Sequence, residues 1–320
     1  MDNFLSVERV NIVTRTTVEG VLYGFTFALY IICARSLYLG LGDQYRRKQC
    51  IFTLSHMTLV MACGLLGLSI DTRDIQASYI DHADFPDHGG FGYSVIVFGR
   101  SPLAVLGYAI GILLDLLTYG VQIWRLWIIW RMSRYSVFIV IMPSLSLFAY
   151  TGIMIINFVH IARPDLLRGS INISVVYGSK ALVLFVAIFV TLMIISKIAV
   201  VRREHVKLLG HSGISGQYTS TIAMLVESFA LESLWVTLSI ILNICFDNDT
   251  GGAAGVFFAT TGPSIQILAY LLVVYRVTTG RGWNKDTERH LTSLQFNNMD
   301  ALQNTQLGAQ TSILRSRGEV

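Results

Sequence analysis

The sequence predicts an all-α, polytopic membrane protein: a bundle of seven transmembrane helices with its N-terminus outside and its C-terminus in the cytoplasm. Three observations predict it. Of 320 residues, 53% are hydrophobic and only 14% charged, whereas a soluble domain carries about 25% charge to wet its surface. Seven apolar runs reach the roughly 20 residues that a helix needs to cross a 30 Å hydrocarbon core. Lysine and arginine gather on one side of those runs.

The runs cover 18–38, 50–70, 103–130, 135–160, 181–201, 222–245 and 253–275. Periodicity does not separate helix from strand in such stretches, but their length does. The third is long enough to tilt or to project beyond the bilayer. Residues 1–17 form the outer N-terminus, 18–275 the transmembrane domain and 276–320 the cytoplasmic tail. The polar tail is expected to be largely disordered, with room for a short amphipathic helix over 286–296. The opening MDNFLSVERVNIVT has no basic segment followed by an apolar core, so the first span is expected to direct its own insertion.

Orientation follows from the basic residues. Arg46, Arg47, Lys48, Arg131, Arg134, Arg202, Arg203, Lys207 and six cations of the tail fall on one side, fourteen against seven on the other. The richer side is predicted to face the cytoplasm. The two Asn-x-Ser/Thr sequons, at Asn172 and Asn248, both fall in connections that this count places outside, which makes them glycosylation candidates. The location expected is a multi-pass protein of the plasma membrane. Cys33, Cys50, Cys63 and Cys245 show no CxxC spacing and read as small buried hydrophobes rather than a disulfide or zinc framework.

Outside, residues 71–102 carry Asp71, Asp74, Asp81, Asp84 and Asp87 with His82 and His88. A solvated loop accounts for them more simply than a metal site, and no metal or cofactor is expected. No internal repeat is visible, which weakens the case for a transporter built from inverted halves. Gly20-x-x-x-Gly24 and Gly107-x-x-x-Gly111 are expected to let helices approach closely within the bundle.

Enzyme motifs are absent. The run Gly210-His211-Ser212-Gly213-Ile214-Ser215-Gly216 lacks the glycine that a nucleophile elbow needs two places after its serine. No HExxH, Walker A or GxGxxG sequence occurs, and no catalytic residue or nucleic-acid partner is predicted.

Ionisable groups inside the runs carry more information, because placing one in hydrocarbon costs at least roughly 2.5 kcal/mol. On the third run Tyr108, Asp115, Thr118, Gln122 and Arg125 share one helical face, a stripe that must look inward. On the sixth run Glu227 and Glu232 point about 140° apart. Asp115 and Glu232 both lie near mid-membrane with no Lys or Arg at that depth. Side by side they would not both stay ionised, so a proton, a sodium ion or a ligand amine would lie between them; alternatively each is neutral and hydrogen-bonded. Glu227 lies near the inner end, level with Lys197 and close to Arg125, and is expected to clamp helices together through one of these. Pro263, within Thr260-Thr261-Gly262-Pro263-Ser264, and Pro143 are expected to kink their helices.

The layout resembles that of G-protein-coupled receptors, but the motifs of the common receptor family are missing. The third run ends Trp130-Arg131-Met132-Ser133-Arg134-Tyr135, without an acid–Arg–Tyr triplet, and the seventh has neither Asn-Pro-x-x-Tyr nor a retinal-binding lysine. A nearer likeness lies in Gln266 followed by an apolar stretch, Arg276, Val277, Gly280 and Trp283. This ending resembles that of a group of uncharacterised, receptor-like seven-span proteins of mushroom-forming fungi. The resemblance implies a receptor-like fold and supplies no ligand or catalytic residues.

Together these features point to a receptor-like protein that senses an extracellular small molecule or peptide and signals to a cytoplasmic protein. Asp115, Glu232, Tyr108, Thr118 and Gln266 are its candidate ligand contacts. The alternative is a proton- or cation-coupled transporter using Asp115 and Glu232. The orientation is checked directly. In a eukaryotic host Asn172 should carry glycan, and a tag after Val320 should be reachable only in permeabilised cells; surface labelling of intact cells would reverse the topology.

Overall fold

In the computed structural model, residues 2–42, 47–86, 89–131, 135–162, 173–209, 230–242 and 251–278 are described. Among them every regular element is helical and there is no strand. The order is α1 (Asp2–Val13), a π-helical turn (Thr14–Val18), α2 (Glu19–Gly40), α3 (Arg47–Ile75), a second π turn (Gln76–Asp81), α4 (Gly89–Ile96), a 3-10 turn (Phe98–Arg100), α5 (Pro102–Trp130), α6 (Ser136–Ala162), α7 (Ile173–Leu209), α8 (Ala230–Leu242) and α9 (Gly251–Thr278). The chain divides into two units, Met1–Tyr275 and Arg276–Val320, and the description below concerns the first.

Six helical stretches are long and apolar enough to cross a membrane: Glu8–Gly40, Arg47–Asp81, Pro102–Trp130, Ser136–Ile161, Gly178–Lys197 and Ala254–Arg276. The shorter apolar helix α8 falls inside the sixth expected run. Large side chains such as Phe25, Leu39, Phe138 and Phe148 lie outward on these helices, as expected where lipid replaces water. The chain is a multi-pass helical membrane protein.

The helices outrun the hydrocarbon. α7 is 37 residues long, about 55 Å at 1.5 Å per residue, against a core of about 30 Å. The third run was expected to be long enough to tilt or to project, and α5, at 29 residues or about 44 Å, also exceeds the core. Its start is set by Ser101, whose side chain accepts from the Ala104 amide at 3.2 Å, with Pro102 in the first turn. Both internal prolines, Pro143 in α6 and Pro263 in α9, are accommodated within continuous helices.

Two apolar cores share α5. Ile110 and Leu114 join Cys33 and Leu37 of α2, Met57, Val60 and Met61 of α3, and Ile267, Leu271 and Val274 of α9. Further along, Tyr119, Ile123 and Leu126 join Tyr150 of α6 and Val186, Val190 and Ile194 of α7. Gly64 lets Ile267 approach so closely that an added Cβ would sit 2.7 Å from its Cδ1. The GxxxG expectation fails in three positions of four. Gly20, Gly24 and Gly111 have no described neighbour within 4 Å, and only Gly107 touches another helix, at Ile70.

Residues 71–81 are not a loop, because α3 continues as helix through the second π turn. Asp74 is buried there and accepts from Arg15 at 2.6 Å, Ser78 at 3.0 Å and Ser94 at 2.9 Å. Arg15 also reaches Asp71 at 3.5 Å, and Asn11 donates to the Tyr79 hydroxyl at 3.3 Å. These bonds tie the N-terminal segment and α4 to the end of α3, which satisfies a buried carboxylate that would otherwise be costly. His82 stacks on Tyr93 with ring centroids 4.0 Å apart.

α4 lies so close to the second π turn that a Cβ on Gly90 would meet the Ser78 carbonyl oxygen and Tyr79 Cδ1 at 2.7 Å. Gly90→Ala should therefore destabilise by about 1–3 kcal/mol. Gly111→Ala, which faces no described neighbour, should be neutral or slightly stabilising. Thermal unfolding in detergent compares the two; equal shifts would mean that α4 does not pack as described.

Candidate functional site

The polar stripe of α5 is partly assembled as expected. The Tyr150 hydroxyl, from α6, donates to Asp115 Oδ2. Gln266 Nε2, from α9, donates to Asp115 Oδ1 at 3.1 Å and to Thr118 Oγ1 at 2.5 Å. The Thr118 hydroxyl has one proton, and it is directed to the Leu114 carbonyl at 2.9 Å. Thr118 must then accept from the amide, which fixes the Nε2 end of Gln266 toward both acceptors. Three helices converge on one carboxyl.

Glu232 of α8 is buried and has a separate set of neighbours. Gln122 Nε2 donates to its Oε2 at 3.2 Å, and the Tyr119 phenol lies against the same carboxyl. Glu232 Oε1 and Gln122 Oε1 are both buried without a well-formed hydrogen bond among the described residues. Asp115 and Glu232 are close enough to influence each other electrostatically, yet they share no donor. The arrangement is that of two separately hydrogen-bonded acids.

Trp235, one turn beyond Glu232, locks α8 to α9. Its indole donates to the Phe258 carbonyl at 3.2 Å and to Thr261 Oγ1 at 3.1 Å. Pro263 has no amide hydrogen and its ring crowds the preceding turn, which loosens the carbonyls there. The carbonyl deprived of its helix donor is that of Ala259, next to the Phe258 carbonyl that the indole reaches.

The remaining expected site residues lie elsewhere. Tyr108, on the expected stripe, is 49% exposed and makes no contact with the acid cluster. Arg125 is half-buried nearer the opposite end of α5, close to Tyr270. There His56 Nδ1 and the Tyr270 hydroxyl are 2.7 Å apart, which joins α3 to α9. Lys197 of α7 sits 5.2 Å above the Trp130 ring, a cation–π contact that also covers its stem. Its proposed partner Glu227, like Asn172 and Asn248, lies outside the described residues. Among the described residues no group of three His, Cys, Asp or Glu side chains is arranged to hold a metal ion.

Two members of the site were not anticipated, Tyr150 and Tyr119. The signal for Tyr150 was present, since a tyrosine in mid-span must find a partner for its hydroxyl. Comparison with protein-family models, with curated proteins and with solved structures returns no match.

Because Tyr150 and Gln266 act on one carboxyl, their losses should not add. Tyr150→Phe alone should cost roughly 1–3 kcal/mol, the penalty for stripping a donor from a buried acceptor. In an Asp115→Leu background the same change should cost less than about 0.5 kcal/mol. Equal costs in both backgrounds, measured by unfolding in detergent, would separate Tyr150 from Asp115.

Proposed function

We propose that the protein is a receptor-like seven-transmembrane protein that senses an extracellular small molecule or peptide and signals to a cytoplasmic protein. In this reading α8 is the core of the sixth span, the N-terminus is outside and the tail is cytoplasmic. The observation that supports it most is the pair of buried acceptors, Glu232 Oε1 and Gln122 Oε1, without a well-formed hydrogen bond among the described residues, beside the Asp115 network. A buried acceptor without a partner carries a desolvation penalty. A ligand bearing N–H or O–H groups would relieve it, so amines and hydroxylated compounds are the expected chemical class. The network spans α5, α6, α8 and α9, so a ligand bound there touches helices that reach the other side.

The likeness of the 266–283 segment to receptor-like fungal proteins, and the overall G-protein-coupled receptor layout, motivate the same reading. It includes no catalytic step. The plasma membrane is the location it requires.

A second reading rests on a different feature of the same site. Asp115 and Glu232 are not paired with a Lys or Arg among the described residues, and acids of this kind serve as proton or cation carriers in transporters. The readings are distinguished in reconstituted liposomes. A receptor should show no proton or sodium flux, should be thermally stabilised by members of a panel of small amines and polyols, and should lose that shift in Glu232→Leu. Flux that disappears in Asp115→Asn would establish the transporter instead.

A further inference from the structure

The two ends of α3 are treated differently. At the outer end Arg15 is neutralised by Asp71 and Asp74. At the other end α3 begins with Arg47 and Lys48, both exposed, and has no acid before Asp71. The connection just before it is balanced, with Arg46 against Asp43, so the excess charge begins with α3 itself.

The partner helix repeats the pattern. α3 and α5 pack antiparallel, since Ile70 meets Gly107 near one end and the Phe52 ring lies 5.6 Å from Trp124 near the other. Carried on in the same register, Arg47 and Lys48 come level with the last turn of α5. Arg131 follows that turn, exposed, with its guanidinium 5.7 Å from the centre of the Trp127 ring. No acid follows Asp115 in α5. Three exposed cations therefore stand at one level. One to two turns deeper, exposed Phe52, Trp124 and Trp127 form an aromatic face on the same helix pair.

We infer that this end of the α3–α5 groove is a binding site for an anionic phospholipid, with its headgroup held by Arg47, Lys48 and Arg131 and its acyl chain laid along Phe52, Trp124 and Trp127. Guanidinium groups pair with phosphate in a bidentate manner. Tryptophan favours the headgroup level, where its ring is half apolar and half wet. The exposed aromatic face continues directly below the cations, so charge and apolar surface are stacked in the order in which a phospholipid presents them. A soluble anion would use only the upper half. The site does not depend on the function proposed above.

Tryptophan quenching by brominated lipid tests the inference on the full chain in bilayers. Phosphatidylserine brominated on its acyl chains should quench more steeply than phosphatidylcholine brominated in the same way, at equal mole fraction. Replacing Arg47, Lys48 and Arg131 by Gln should abolish the preference, with roughly a five-fold loss of relative affinity per cation. Trp124→Phe with Trp127→Phe should remove the preferential part of the quenching. In the unmutated protein, raising salt to about 1 M should also erase it, because exposed charges are then screened. Equal quenching by the two lipids would overturn the site. So would a preference that survives both the triple substitution and high salt.

Discussion

A carboxyl in the middle of α5 has to be satisfied without water, and that requirement selects the helices around it. Apolar contact alone does not choose between a neighbouring helix and lipid, since both are equally oily. Asp115 does choose. It takes a hydroxyl from α6 and an amide from α9, and each donor sits beside a different apolar core. Tyr150 belongs to the core formed with α7, while Gln266 precedes Ile267 in the core formed with α2 and α3. The carboxyl thus lies at the seam of the two cores, and its bonds set how α6 and α9 are rotated about α5.

Much of this was legible in the sequence, for identifiable reasons. The third run was expected over 103–130 and the helix is Pro102–Trp130, because the apolar run itself begins and ends there. The fifth was expected over 181–201 and the helix is Ile173–Leu209. Hydropathy reports where hydrocarbon ends, and a helix can continue into water beyond that point. For the same reason residues 71–81 read as an acidic loop, although Asp74 is a buried partner of Arg15. Within the site, helical angle alone brought Asp115, Thr118 and Gln122 onto one face. It failed for Tyr108, which shares that angle but is left half exposed. An angle gives direction, and only the neighbouring helix decides whether that direction is inside.

Charge is distributed along α3 by the same logic. The acids toward its C-terminal end are matched by Arg15 from the N-terminal segment, with Ser78 and Ser94 completing the shell around Asp74. Arg125 and His56 occupy the opposite half, where Tyr270 supplies a neutral partner to the imidazole. The ion pairs among the described residues lie toward the Asp71–Asp81 end, and the middle is left to neutral donors. The donors that serve the two central acids are amides and a phenol, which carry no full charge and so avoid the cost of burying a cation.

The two central acids differ in how completely they are served, and the difference orders what can happen at the site. Asp115 has both oxygens bonded, by donors that are themselves held by Thr118 and by helix packing. An incoming group would have to displace one of them and would gain little. Glu232 takes the Gln122 amide on one oxygen and has the Tyr119 phenol beside it, while its Oε1 and the Gln122 Oε1 have no well-formed bond among the described residues. A new donor there would meet acceptors that are less completely served than those of Asp115. Under the receptor reading proposed above, binding would start at Glu232, and Asp115 would respond only if α9 moved. α9 is coupled to that event through Trp235, which lies one turn from Glu232 and holds the carbonyl of Phe258 ahead of Pro263. A shift of α8 on binding would pull on the one stretch of α9 whose own backbone bonding proline has already weakened. Gln266, a turn further on, carries the displacement to Asp115.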